Sequence, residues 1–140
     1  MKKIFIYADG GSRGNPGPSG AGAVVLDVHG KPLAEVSLFL GTTTNNVAEY
    51  TAILEGLKKA HKILGEALAD MRVEIRMDSQ LVIRQLEGKY KVKHPNLKPL
   101  YVQVVATIEK YFPHVVFTHI PREENSYADR LANDAMDRAA

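Results

Sequence analysis

Four acidic residues occupy places that ordinary surface solvation does not explain. Asp9 closes an apolar strand and precedes Gly10-Gly11, and Asp78 closes a second strand just before Ser79. Glu49 lies one turn into a helix, at the edge of its apolar stripe. Asp129 borders the Ala128, Leu131, Ala132, Ala135 stripe of the last helix. Each has a plain alternative. Asp before Gly is commonly an Asx-turn residue, Asp78 can be the neighbour of a cap, and Glu49 and Asp129 can face water. Taken together, the four can form an all-oxygen cluster, the ligand type that hard cations such as Mg²⁺ or Mn²⁺ prefer. Two ions held about 4 Å apart can activate a water and stabilise the leaving oxygen in phosphodiester cleavage. Without cations the carboxylates repel one another, and at least one tends to stay protonated. His119 ends the last strand, ten residues before Asp129. It is either a strand-end imidazole or a proton shuttle, since its reference pKa of about 6.5 lets it change charge near neutral pH.

Positioning these groups requires a particular run of elements. Lys3 to Asp9 is apolar on both faces, with Ile4, Ile6 and Ala8 on one side and Phe5 and Tyr7, followed by Asp9, on the other. Such a strand is usually central and covered. The glycine- and proline-rich stretch from Gly10 to Pro18 predicts a turn. Strands follow at Ala21–Asp27 and Leu33–Leu40, joined by a hairpin turn at Val28–Pro32. Thr44 and Asn45 are caps for a helix whose stripe is Tyr50, Leu54, Leu57 and His61, stopping near Gly65. Met71 to Asp78 alternates as a half-buried strand. Ser79 caps a short helix to Leu86, and Gly88 to Pro99 is a polar basic connector. A helix over Leu100–Tyr111, a strand over Val115–Ile120 and a helix over Asn125–Arg138, capped by Asn125, complete the order. Early hairpins followed by alternation predict an α/β domain with a mixed sheet and packed helices.

Totals narrow the function classes. The chain has 140 residues, with 45% hydrophobic and 24% charged residues, as expected of one globular domain spanning 1–140. It holds no cysteine, which removes disulfides, zinc–thiolate sites and thiol nucleophiles. The N-terminal apolar segment is too short and too soon charged for a signal peptide or membrane span, so the expected location is cytoplasmic. Net charge is +2, but it is unevenly placed: Arg84 to Lys98 carries five Lys or Arg and one acid, Glu87. That stretch reads either as a solvated surface or as a phosphate-contacting patch. Gly20-Ala21-Gly22-Ala23-Val24-Val25 lacks the third glycine of a dinucleotide fingerprint and leads into strand, not helix.

Four segments share an order with a known family. They are Tyr7-Ala8-Asp9-Gly10-Gly11-Ser12-Arg13-Gly14-Asn15-Pro16-Gly17-Pro18; Thr44-Asn45-Asn46-Val47-Ala48-Glu49-Tyr50; Met77-Asp78-Ser79-Gln80-Leu81-Val82; and His119-Ile120-Pro121-Arg122-Glu123-Glu124-Asn125 leading to Ala128-Asp129-Arg130-Leu131-Ala132. Through them the chain resembles ribonuclease HI over essentially its whole length, in a compact form without the long basic protrusion. The resemblance implies a ribonuclease H-like fold with a five-stranded mixed sheet, three antiparallel strands then two parallel, flanked by helices. It implies that Asp9, Glu49, Asp78 and Asp129 bind two Mg²⁺ or Mn²⁺ ions, and that His119 is the family's flexible-loop histidine. Asn15, Asn45 and Gln80 match positions that contact RNA through the minor groove, where amides can reach 2′-hydroxyls and base edges. Thr44 and Asn46 flank them, and Arg122 matches a residue of the compact relatives that touches substrate. Lys89, Lys91 and Lys93 stand in place of the protrusion. The implied activity is hydrolysis of the RNA strand of an RNA–DNA hybrid, leaving 5′-phosphate and 3′-hydroxyl ends. The implied state is a monomer with neither membrane nor protein partner. A related nuclease acting on junctions or double-stranded RNA, or a non-catalytic binding module of the same fold, are the alternatives; the module predicts loss of an acid, and all four are present.

Overall fold

The computed structural model describes residues 1–140. Five strands form one sheet: β1 (Lys2–Ser12), β2 (Gly17–Leu26), β3 (Pro32–Thr43), β4 (Met71–Met77) and β5 (Val115–His119). Their order is β3-β2-β1-β4-β5. The β1–β2 and β2–β3 pairs are antiparallel, whereas β1–β4 and β4–β5 are parallel. Four helices cover it: α1 (Asn45–Leu64), α2 (Gln80–Leu86), α3 (Lys98–Tyr111) and α4 (Ser126–Ala139). The mixed sheet of three antiparallel and two parallel strands is the one the resemblance implies. No helix is long and apolar enough to cross a membrane.

The two-sided apolar strand is central, as its pattern requires. Ile4, Ile6 and Ala8 are buried beneath α1 with Ala21, Ala23, Val73 and Ile75, in a core that also takes Tyr50, Ile53, Leu57, Val104 and Phe112. The stripe of α1 is apolar because it faces this core. Thr44 accepts the first-turn amide of Val47, and Gly65 ends the helix at φ 52°, a conformation that glycine adopts without steric cost. Ser79 accepts from Val82 and starts α2.

The other face of the sheet is covered by α4, across β2, β3 and part of β1. Paired residues of antiparallel strands share a face, so Asp9 and its partner Gly22 both point toward α4, while Gly10 and Ala21 point toward α1. Two glycines let the helices come this close. A Cβ at Gly10 would lie 2.2 Å from the Ala48 carbonyl carbon in α1, and one at Gly22 would lie 2.2 Å from the Ala128 carbonyl oxygen in α4. The stretch that fails as a dinucleotide fingerprint is therefore a seat for a helix. Beyond α4 the face lacks a helix, and long side chains cover it. Arg76 stacks over Phe5 and Tyr7 and bonds Glu74, which Lys3 also pairs with at 3.1 Å. Glu74 is thereby buried on a strand face expected to be polar and open.

Several boundaries and one cap differ from expectation: β2 begins at Gly17 rather than Ala21, and β3 runs to Thr43 rather than Leu40. Strand β1 continues to Ser12, because Gly10, Gly11 and Ser12 pair with Ala21, Gly20 and Ser19; glycines read as a turn here extend a ladder. Helix α3 begins at Lys98, with Pro99 in its first turn, where proline loses no intrahelical bond. Asn125 precedes α4 as expected, but its side chain makes no capping bond. Gly22→Ala is expected to destabilise the protein by about 1–3 kcal/mol, since the added methyl meets helix backbone rather than a movable side chain. Urea denaturation measures this, and unchanged stability would mean that α4 is not seated on β2.

Candidate active site

At the end of the sheet where β1 and β4 run out, α1 and α4 reach one cavity from opposite faces. Asp9 lies near the end of β1, and Asp78 follows β4 directly. Glu49 comes from the first turns of α1, which the missing Cβ of Gly10 allows against β1. Asp129 comes from α4, the neighbour of Ala128 on Gly22, which is itself the partner of Asp9. Four elements far apart in sequence thus deliver one acid each. All four acids line a single cavity of about 520 Å³, with Asn45, Asn46 and Arg122 also on its wall.

The electrostatics follow from burial and crowding. Burial first, then the charge of Asp78, a carboxyl hydrogen bond shared with Asp129 and the charges of Asp129 and Glu49, push the Asp9 pKa up to about 8. Burial and Asp78 push Glu49 up to about 7, against a hydrogen bond from Ser79 that favours its charged form. No three of the acids converge tightly enough to make a finished cage for one ion. The donor set nonetheless fits hard divalent cations: it is all oxygen, without thiolate or imidazole on the cavity wall. Asp9 and Glu49, whose ionisation burial and neighbouring acids disfavour, are groups whose charged form a divalent cation would balance.

The remaining predicted residues are dispersed. The main chain of Asn45 donates to Asn15 Oδ1 at 3.1 Å, and Asn45 Oδ1 accepts from the Ser12 amide at 2.8 Å. These bonds lock the β1–β2 turn to the start of α1, where Thr44 caps. Asn15 itself is exposed and stands outside the cavity wall. His119 and Gln80 line a second, smaller cavity with Arg84, Glu87 and Lys89. His119 sits beside Met77 in the β4–β5 register, one residue before Asp78, but it is not on the wall of the acid cavity. Lys91 lines a third hollow with Tyr90, Lys98 and Tyr101. Lys93 is exposed, and Lys89 pairs with Glu87 at 3.4 Å. The basic patch is real as a surface, though one of its charges is partly neutralised.

Sequence reasoning missed Arg13 and Asn133, which also line the acid cavity. Arg13 bonds Asp137 at 2.6 Å, tying the β1–β2 turn to α4. Asn133 was within reach, because it lies four residues after Asp129, on the same helical face. Asn125 was named as a cap only; its side chain instead bonds Asp78.

Residues 7–135 match the sequence family described as reverse transcriptase-like. The chain is 50% identical over 139 residues to the bifunctional protein Rv2228c of Mycobacterium tuberculosis, covering 99% of this chain and 36% of that protein. It therefore spans about a third of that relative's length. It is 39% identical over 140 residues to ribonuclease HI of Halobacterium salinarum, covering 98% of this chain and 66% of that protein. Among solved structures it superposes on LC11-RNase H1, isolated from compost, with a TM-score of 0.94 and 50% identity, covering 99% of each chain. That protein has also been crystallised with an RNA/DNA hybrid.

The raised carboxyls have a measurable consequence. A folded-state pKa above the unfolded value gives stability that is present below the unfolded pKa and lost as pH rises through the folded one. For Asp9 and Glu49 the window runs from 3.8 and 4.5 to about 8 and about 7. Asp9→Asn removes the crowded charge. In chelator it is expected to exceed the parent in stability by a margin that widens from pH 4 to pH 8 and reaches about 1–3 kcal/mol. A margin flat across that range in urea denaturation would remove Asp9 from the crowded cluster.

Proposed function

The chain belongs to the ribonuclease HI family, and from that premise we propose that it hydrolyses the RNA strand of RNA–DNA hybrids as a single ribonuclease H domain. The observation that carries the proposal is the meeting of Asp9, Glu49, Asp78 and Asp129 on one cavity wall. In this reading the four hold two Mg²⁺ or Mn²⁺ ions. Such a pair, when bound, supplies an activated water and charge stabilisation at the leaving oxygen, so that cleavage leaves 5′-phosphate and 3′-hydroxyl ends. The protein's own part is positional. Asn45 and Asn46 present amides beside the acids, where 2′-hydroxyls of the RNA strand can be recognised. Arg122, on the same wall, is suited to a phosphate next to the cut. Gln80, Lys89 and His119 form a separate, adjacent stretch of surface, and Lys91 and Lys93 continue the basic charge outward. The wall contributes amides and backbone-directed cations rather than base-specific pockets, which favours a nuclease with little sequence preference. The crystallised hybrid complex of the compost relative supports this choice of substrate over double-stranded RNA.

A strand-labelled hybrid incubated with the protein tests the reading. Cleavage confined to the RNA strand, requiring Mg²⁺ or Mn²⁺, and absent with duplex DNA, is the expected result. Binding without cleavage would instead make this a non-catalytic module, and faster cutting of double-stranded RNA would reassign the substrate. His119 stands in the neighbouring cavity, so its proposed task is to move a proton to or from a group beyond the acids. His119→Ala is expected to lower kcat roughly a hundredfold without abolishing cleavage, and an unchanged rate would leave His119 as a strand terminus.

A further inference from the structure

Asn125 holds the position of a helix N-cap but does not cap: no bond from its side chain reaches the first turn of α4. Its side chain is turned inward and is 1% exposed. Its Nδ2 donates to the Ala8 carbonyl at 2.9 Å and to Asp78 Oδ1 at 2.9 Å. Ala8 directly precedes Asp9. One amide therefore bridges the ends of β1 and β4 from the head of the helix that carries Asp129. Its Oδ1 is buried without a hydrogen-bond partner. Turning the amide over would set that oxygen against two acceptors, so its partners impose the orientation. A residue kept for the helix would cap it. A residue kept for packing at this burial would be apolar. Neither describes Asn125, whose two donors both serve the floor of the acid cavity.

We propose that Asn125 is a positioning residue for the cation site. It fixes the Asp78 carboxylate by engaging one oxygen, leaves the other for a cation, and couples that carboxylate to the strand bearing Asp9. The proposal rests on Asp78 being a ligand. Partners that orient a ligating carboxylate commonly carry ten- to hundredfold of metal affinity.

Three proteins decide it: the parent, Asn125→Ala and Asp78→Asn. Mn²⁺ is titrated into each by calorimetry, with the cation-induced rise in Tm as a second readout and the Mg²⁺ dependence of hybrid cleavage as a third. Asn125→Ala is expected to weaken Mn²⁺ binding ten- to hundredfold and to raise the Mg²⁺ concentration for half-maximal rate in step. The kcat at saturating Mg²⁺ and the KM for hybrid should stay within about threefold of the parent. Asp78→Asn should bind the cation worse still. Parent-like cation binding by Asn125→Ala beside a defective Asp78→Asn overturns the positioning role, whatever the variant's stability. Parent-like binding by Asp78→Asn removes Asp78 as a ligand, and the proposal with it. If the alanine variant does not fold, Asn125→Ser, which retains one donor, is expected to weaken binding severalfold, and parent-like affinity in it overturns the role equally.

Discussion

Like charges must be held together here, in a place where water screens them poorly. That constraint shapes the rest of the molecule. Asp9, Glu49, Asp78 and Asp129 come from four different elements, and beyond the carboxyl hydrogen bond between Asp9 and Asp129 their mutual influence is repulsive. The force that assembles them acts elsewhere, in the burial of Ile4, Ile6, Tyr50, Ile53, Leu57 and their neighbours between α1 and the sheet. Apolar burial contributes about 25 cal/mol per Å², and a core of this extent can tolerate protonated or repelling acids at its edge. The site is strained in charge and relaxed in backbone: every residue with positive φ is a glycine.

The acids themselves were legible from sequence because each interrupts a periodic pattern. Asp9 ends an apolar strand, Asp78 ends an alternating one, and Glu49 and Asp129 sit at the borders of helical stripes. The central place of β1 was legible for a related reason, since a strand apolar on both faces has to lie between covered neighbours, and the mixed sheet was legible from early hairpins followed by alternation of strand and helix. Less legible was anything that depends on which backbone lies against which. Gly10 and Gly22 look like turn formers or a failed nucleotide motif until α1 and α4 are seen resting on them. Glu74 looks like the outward half of an alternating strand, yet Lys3 and Arg76 enclose it where no helix is available to do so. Asn125 obeys the composition rule for a cap and breaks it in fact, because two acceptors inside the fold compete for its donors.

The residues matched through family resemblance do not share one cavity. Asn45, Asn46 and Arg122 stand with the acids, whereas Gln80, His119 and Lys89 stand in the next depression along. Under the proposed function a hybrid duplex, long compared with either hollow, would contact both along several nucleotides. The bond between Arg13 and Asp137, and the lock between Asn15, Asn45 and Ser12, hold the turn above the acids to both helices. That rim is held by polar contacts rather than by core.

Strand β2 offers no acid, amide or imidazole to the cavity, yet its small residues are what both helical layers lean on. Gly20 and Gly22 meet the backbone of α4, and Ala21 and Ala23 meet the core beneath α1. Packing consequently leaves little room for larger side chains in a strand that contributes nothing to the acid cavity. In a saturation library ranked by turnover, β2 would mimic a chemical centre, and only a parallel measurement of folded yield would separate the seat from the machinery it carries.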